Sequence, residues 1–177
     1  MHPSSMERMM NFFQVYVLSK YNLSDYVTIF DIGSRKAHRR HASYKDGLTS
    51  RGYLSGNWKY IGIDILEGVN VDIVSQNPYR FLNAGNLADV VISGQTIEHV
   101  ENPFKWIMEI HRILRPSGLV CIIGPSSGPR HWDRDYWRIL PDGMKTLFNH
   151  AGLDILDIFL GTNKPWADCV GIAKKRA

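Results

Sequence analysis

A chain of 177 residues, 44% hydrophobic and 21% charged, has the size and composition of one globular domain and not of a disordered segment. Its formal net charge of +4 is mild and local, so no broad nucleic-acid face is expected. Arg35, Lys36, Arg39 and Arg40 cluster with His38 and His41, and Lys174, Lys175 and Arg176 form a second group. No apolar run approaches the roughly 18–20 residues that span a bilayer, and residues 1–20 lack the basic-then-apolar order of a secretory signal. Cys121 and Cys169 each lie in an apolar run and form no CxxC pair, which predicts buried free thiols and a cytoplasmic location.

Met6, Met9, Met10, Phe13, Val17 and Leu18 recur at helical spacing and predict an amphipathic helix over 5–20. Residues 26–33 are a β-rich run, apolar on both faces and stopped by Gly33, as suits a buried central strand. The stretch 34–57 is polar and glycine-punctuated, with a weak helix around 43–52. Strands follow over 58–65, 69–74 and 88–94. A strong helix spans 103–114, with Phe104, Trp106, Ile107, Ile110, Ile113 and Leu114 on one face, and Arg115-Pro116-Ser117-Gly118 stops it. A fifth strand covers 119–125, and a helix opened by Pro141 closes at Gly152. Two last strands, 153–160 and 168–173, are joined by a loop short enough to demand an antiparallel hairpin.

This order predicts an α/β, Rossmann-like doubly wound, mostly parallel seven-stranded sheet with helices on both faces and an antiparallel last strand. Residues 1–177 read as a single domain, with 1–24 as a helical cap on a 25–177 core. Ligands of such sheets bind outside the carboxyl ends of the strands, which directs attention to 31–36, 64–66, 75–78, 93–99 and 125–137. After the first strand, Gly33 permits a tight turn, but the three-glycine dinucleotide fingerprint is missing, which argues against a nicotinamide enzyme. After the second, the Asp64 carboxylate suits the two hydroxyls of a ribose.

The fourth strand and its sequel carry Asp89-Val90-Val91, Glu98-His99-Val100 and Arg112-Ile113-Leu114-Arg115-Pro116-Ser117-Gly118. With Asp31-Ile32-Gly33-Ser34 and Tyr60-Ile61-Gly62-Ile63-Asp64, this stretch resembles the class I S-adenosylmethionine-dependent methyltransferases, specifically the small type 11 group. The likeness follows the family's order and spacing from about Val27 to Ala173, although the family's loop is richer in glycine than the Gly33-Ser34 turn. The resemblance implies S-adenosylmethionine as cofactor and S-adenosylhomocysteine as product. It places Asp31, Gly33 and Ser34 at the methionine end, Asp64 on the ribose and Ile65 against the adenine. It also puts Ser75 or Gln76 at the adenine amine, and Ser93, Gly94 and Gln95 beside the methionine and sulfonium.

Methyl transfer from a sulfonium is an in-line displacement that chiefly needs alignment, helped by a general base when the acceptor must lose a proton. Of seven histidines, His99 is either that base or a structural residue of the Glu-His pair. The segment 125–138 follows the fifth strand and mixes His131, Asp133 and Asp135 with three arginines and with Trp132, Tyr136 and Trp137. The aromatics suit an acceptor pocket, and His131 or Asp135 suits the base, His131 being preferred. Some relatives bind a metal through carboxylates near the Glu-His pair. Glu98 and Glu101 fit that idea, but no fuller ligand set is visible and no metal is expected. With the pocket drawn from the N-terminal helix, 35–57 and 125–138, a small or medium-sized acceptor is expected, methylated on oxygen or nitrogen by a monomer or homodimer. Two alternatives share the fold: a cofactor-binding protein without turnover, suggested by the single-glycine loop, and an RNA or protein methyltransferase, suggested by the arginines. The Asn/Asp-Pro-Pro-Tyr/Phe motif of amino-group nucleic-acid methylases is replaced here by Ser93-Gly94-Gln95-Thr96, which counts against a nucleic-acid acceptor.

Overall fold

The structure, a computed structural model, describes residues 3–36, 42–162 and 164–177. His38, Arg39, Arg40 and His41 of the basic cluster lie outside the described residues. Seven strands form one sheet: β1 (Val27–Ile32), β2 (Trp58–Asp64), β3 (Ile73–Val74), β4 (Ala88–Gly94), β5 (Leu114–Gly124), β6 (Leu153–Leu160) and β7 (Cys169–Lys175). Their order is β3-β2-β1-β4-β5-β7-β6. The first five run parallel, and β7 is antiparallel to both β5 and β6. Strand order reverses between β1 and β4, the switch point at which open α/β sheets bind ligands. Burial on both faces explains why β1 and β4 read as continuous apolar runs rather than alternating ones.

Helices cover both faces. α1 (Pro3–Phe12) and α2 (Tyr44–Ser50) pack through Met9, Met10, Phe12, Tyr44 and Leu48 on one core. α3 (Pro103–Ile113) and α4 (Pro141–His150) pack through Trp106, Ile107, Ile110, Met144 and Phe148 on the other. α2 begins in a capping box: the Ser43 hydroxyl accepts from the Asp46 amide, and the Asp46 carboxylate accepts from the Ser43 amide. α3 starts on the Asn102 side chain, which accepts from Lys105 N–H, with Pro103 in its first turn. Buried Glu109 accepts the Phe81 amide at 2.7 Å and two bonds from Arg112, tying α3 to the 75–87 segment.

Three expected elements differ. The 5–20 helix is α-helical only to Phe12. Phe13–Val17 is a π-helical turn closed by Leu18 N–H to the Phe13 carbonyl at 2.9 Å, and both Phe12 and Phe13 are buried there. The 69–74 strand shrinks to Ile73–Val74, because Gly68 to Val71 turns on Asn70 at φ 71°. β5 starts at Leu114 instead of 119: Leu114 pairs with Ala88, and Ser117 takes φ 62° before the regular ladder resumes at Leu119. Both cysteines are free and buried, and among the described residues no helix is long and apolar enough to cross a membrane.

Candidate cofactor and acceptor site

Asp31 and Asp64 stand near the carboxyl ends of adjacent strands. The Asp31 carboxylate is buried and accepts the Tyr60 hydroxyl at 2.5 Å. Burial pushes its pKa up to about 7 against the opposing effect of that hydrogen bond, and burial with the adjacent Asp31 charge pushes the Tyr60 phenol up as well. The Asp64 carboxylate is held from both sides: one oxygen accepts Arg35 N–H at 3.0 Å, the other Leu66 N–H at 3.0 Å. Beside it Ile65, Leu66 and Val69 are exposed. Between the two acids the chain turns at Gly33, with φ 79°, where a Cβ would lie 2.1 Å from Thr96 Oγ1. The Ser34 hydroxyl donates to the Asn70 carbonyl at 3.0 Å and closes the turn against the β2–β3 loop.

At β3 and β4, several expected ligand contacts are committed to the protein itself. The buried Ser75 hydroxyl is within hydrogen-bonding distance of the Asn77 and Arg80 carbonyls, while Gln76 is exposed. The fully buried Ser93 hydroxyl donates to the Ile32 carbonyl at 2.7 Å and links β4 to β1. Gly94 leaves room for the Tyr44 ring, whose hydroxyl oxygen would lie 1.9 Å from a Cβ there and pairs with Ser5 Oγ at 2.9 Å. Gln95 adopts φ 55° and donates from Nε2 to Asp168 at 3.0 Å, and the other Asp168 oxygen accepts from Arg8 at 3.2 Å. Tyr44, Thr96, Asp168 and Arg8 thus shape the site from helices and turns distant in sequence. Only Tyr44, following the Ser43 cap, carried a local signal.

After Gln95 the chain makes a 3-10 turn, Ile97–His99. The Glu98 side chain is completely buried, and among the described residues neither carboxylate oxygen has a hydrogen-bond partner outside its own residue. Burial pushes its pKa up to about 8. His99 Nδ1 lies 3.0 Å from the Arg134 carbonyl and Nε2 lies 3.8 Å from Glu98, and burial lowers the imidazole below its ordinary value. His131 arrives from the loop after β5, its Nδ1 3.0 Å from Asp135 and its ring 5.2 Å from that of His99. Asp135 also takes two bonds from Arg138, at 2.6 and 2.8 Å, and these hold its carboxyl far below the usual range. A carboxylate so stabilised is a poor proton acceptor, and its contact with His131 Nδ1 fixes one nitrogen of that ring. Glu98, His99 and His131 each present one ligand-capable atom, all within 4.8 Å of one another, whereas Glu101 is exposed outside the group. Trp132, Tyr136 and Trp137 are exposed along the same loop, and the Trp137 indole donates to the Val100 carbonyl at 2.8 Å. A depression of about 800 Å³ beside Met108, Arg112 and His150 lies along α3, away from these strand ends.

A family model described as a methyltransferase domain matches residues 47–122, from α2 through β2 and β4 into β5. Over that stretch the chain is similar to a methyltransferase domain. No curated protein matches the chain. Among solved structures, a S-adenosylmethionine-dependent methyltransferase from Aquifex aeolicus is 15% identical with a TM-score of 0.63, covering 98% of each chain. The [4+2]-cyclase SpnF is 14% identical with a TM-score of 0.71, over 97% of this chain and 81% of its own. Phosphoethanolamine N-methyltransferase 2 of Haemonchus contortus, solved with S-adenosylmethionine, is 12% identical with a TM-score of 0.64, over 94% of this chain and 53% of its own. At such identities these three likenesses speak for the fold.

The chain's residues fit S-adenosylmethionine, the cofactor that the sequence resemblance implies, best at the nucleoside end. Asp64 is a carboxylate fixed by two backbone amides, with lone pairs left for a diol, and the exposed Ile65 and Leu66 beside it offer apolar surface for a purine. The buried Asp31 offers a negative partner for an ammonium group.

Proposed function

We propose that the protein transfers the sulfonium methyl of S-adenosylmethionine to an oxygen or nitrogen of a small or medium-sized acceptor. In this reading the chain acts as a single domain, with residues 1–24 capping a 25–177 core. The cofactor supplies the electrophilic methyl group. Asp64 grips the ribose hydroxyls, Ile65 backs the adenine near Ser75 and Gln76, and Asp31 faces the ammonium. Gly33 and Ser34 shape the loop around the methionine, and Ser93, Gly94 and Gln95 flank the methyl group. The acceptor lies under Trp132 and Tyr136, where the unpaired nitrogen of His131 or His99 takes the acceptor's proton.

One observation carries this reading: His131, held by Asp135, stands beside His99 at the carboxyl ends of β4 and β5. A side chain fixed at one ring nitrogen presents the other in a set direction. Calorimetric titration with S-adenosylmethionine and S-adenosylhomocysteine tests it. The wild type should bind at micromolar concentration, and Asp64→Ala should bind about tenfold or more weakly, the loss expected for hydrogen bonds to a charged group. Binding of neither ligand by the wild type overturns the cofactor site. A second reading, cofactor binding without turnover, draws on the packing of Thr96 over Gly33 and of Tyr44 over Gly94, which fill space at the methionine end. Binding with no turnover across an acceptor screen, and no effect of His131→Ala, would select that second reading.

A further inference from the structure

We infer that Glu98, His99 and His131 form a binding site for a divalent transition-metal ion. The three residues offer two imidazole nitrogens and one carboxylate oxygen, within 4.8 Å of one another, which is the spacing of atoms that share one ion. Two His and one carboxylate is a donor set that holds zinc or a neighbouring divalent ion with positions left open. Each imidazole has one nitrogen occupied by an outer partner. His99 Nδ1 faces the Arg134 carbonyl and His131 Nδ1 faces the Asp135 carboxylate, each at 3.0 Å, so both rings keep Nε2 as the lone-pair nitrogen. Outer partners of this kind, a carbonyl and a carboxylate, are what fix a ligating histidine in metal sites.

The third ligand supplies the independent observation. Glu98 is wholly buried and has no hydrogen-bond donor outside its own residue among the described residues. A buried carboxylate without donors is costly, and a cation among its neighbours removes that cost. The nearby guanidinium of Arg138 does not fill the role, because its nitrogens are bonded to Asp135 at 2.6 and 2.8 Å. The cluster is built of elements that need not have met: a turn after β4 and the loop after β5. Its openness on the His131 side, where the side chain is 34% exposed, leaves a path for an ion and an acceptor.

The role assigned to the ion rests on the methyltransferase reading above. An acceptor hydroxyl bound at an open position loses its proton to water more readily. Its oxygen then forms the new bond to the methyl carbon, and the sulfur departs with the electron pair of the broken carbon–sulfur bond. With the ion in place, His99 and His131 are both ligands and neither is free to accept a proton, so the base role belongs to the metal-free site alone.

The test is titration of the metal-free full chain with Co²⁺, followed by its visible absorption, with Zn²⁺ as competitor and no cofactor present. One Co²⁺ per chain should bind and give the intense bands of low coordination number, and Zn²⁺ should displace it. Glu98→Gln and His131→Ala should each weaken binding by roughly tenfold or more, since each removes a direct ligand. The glutamine variant keeps the volume of the buried side chain, and His131 is partly exposed, so both should fold. Separate calorimetry with S-adenosylmethionine keeps the two readings apart. Retained cofactor binding with no Co²⁺ uptake, or with uptake equal in wild type and both variants, overturns the metal site and leaves the methyltransferase reading intact. Co²⁺ uptake that both substitutions abolish supports the metal site even if the cofactor reading fails.

Discussion

Replacing Asp31 by asparagine should flatten the dependence of stability on pH. In the folded protein this carboxyl has a pKa near 7, against 3.8 for an ordinary aspartate, and burial is the main cause. Its folded pKa is raised, so between these values the native state holds a proton that the unfolded chain has released. The contribution to stability is therefore fully present below the lower value and is lost as pH rises through the higher one. At about 1.4 kcal/mol per pH unit, the loss over the roughly three units between them comes to about 4 kcal/mol. Asparagine carries no such charge, and its carbonyl can still accept the Tyr60 hydroxyl. The variant should match the wild type near pH 4 and exceed it above pH 7, by a Tm difference on the order of 10 °C for a domain of this size. Thermal unfolding followed by circular dichroism across this range, without cofactor, is sufficient. Parallel curves for the two proteins, or a gap that shrinks as pH rises, would show that Asp31 is not the buried acid described here. Added S-adenosylmethionine should narrow the gap at high pH, because an ammonium beside Asp31 favours its ionised form.

Three further substitutions probe the scaffold around the site. Gly33→Ala forces a side chain into φ 79°, with the new Cβ 2.1 Å from Thr96 Oγ1. A loss of about 2–5 kcal/mol and a clear fall in Tm should follow, and an unchanged Tm would refute that packing. Glu109→Ala leaves the Phe81 amide and Arg112 without their acceptor. It should cost about 2–3 kcal/mol and raise proteolytic cleavage within 75–87, read by mass spectrometry of limited digests. Trp106→Ala empties the fully buried core under α3. Denaturant unfolding should show a loss of about 3–5 kcal/mol, and a loss below about 1 kcal/mol would contradict the packing.

Much of the architecture was legible because it follows from periodicity. The apolar runs around Ile29 and Val91 declared buried strands, and the face of Trp106, Ile107, Ile110 and Ile113 declared a helix on a sheet. The acids at strand ends were also readable, since topology alone says where a parallel sheet presents its ligands. What escaped the sequence depends on partners far along the chain. Ser93 reads as a ligand contact, but nothing local announces that its hydroxyl donates to Ile32, 61 residues away. Tyr44 fills the space over Gly94, and Asp168 holds Gln95 and Arg8. Asp135 reads as a candidate base, and its ion pair with Arg138, although only three residues on, was not apparent from the sequence. His131 reads from the sequence as a candidate base, but its meeting with Glu98 and His99 required the fold to bring 98 and 131 together.

The placement of β7 between β5 and β6 has a consequence for how the protein is made. While the chain emerges from the ribosome, β6 has no neighbour to pair with, and β5 exposes one apolar edge, until residues 169–175 appear. Both strands depend on the same later partner, so this side of the sheet closes in one step once residues 169–175 are available and not strand by strand. In that interval an unpaired β5 is open to edge-to-edge association with another nascent chain. Chaperone protection should therefore matter most during translation of the stretch from β6 to β7.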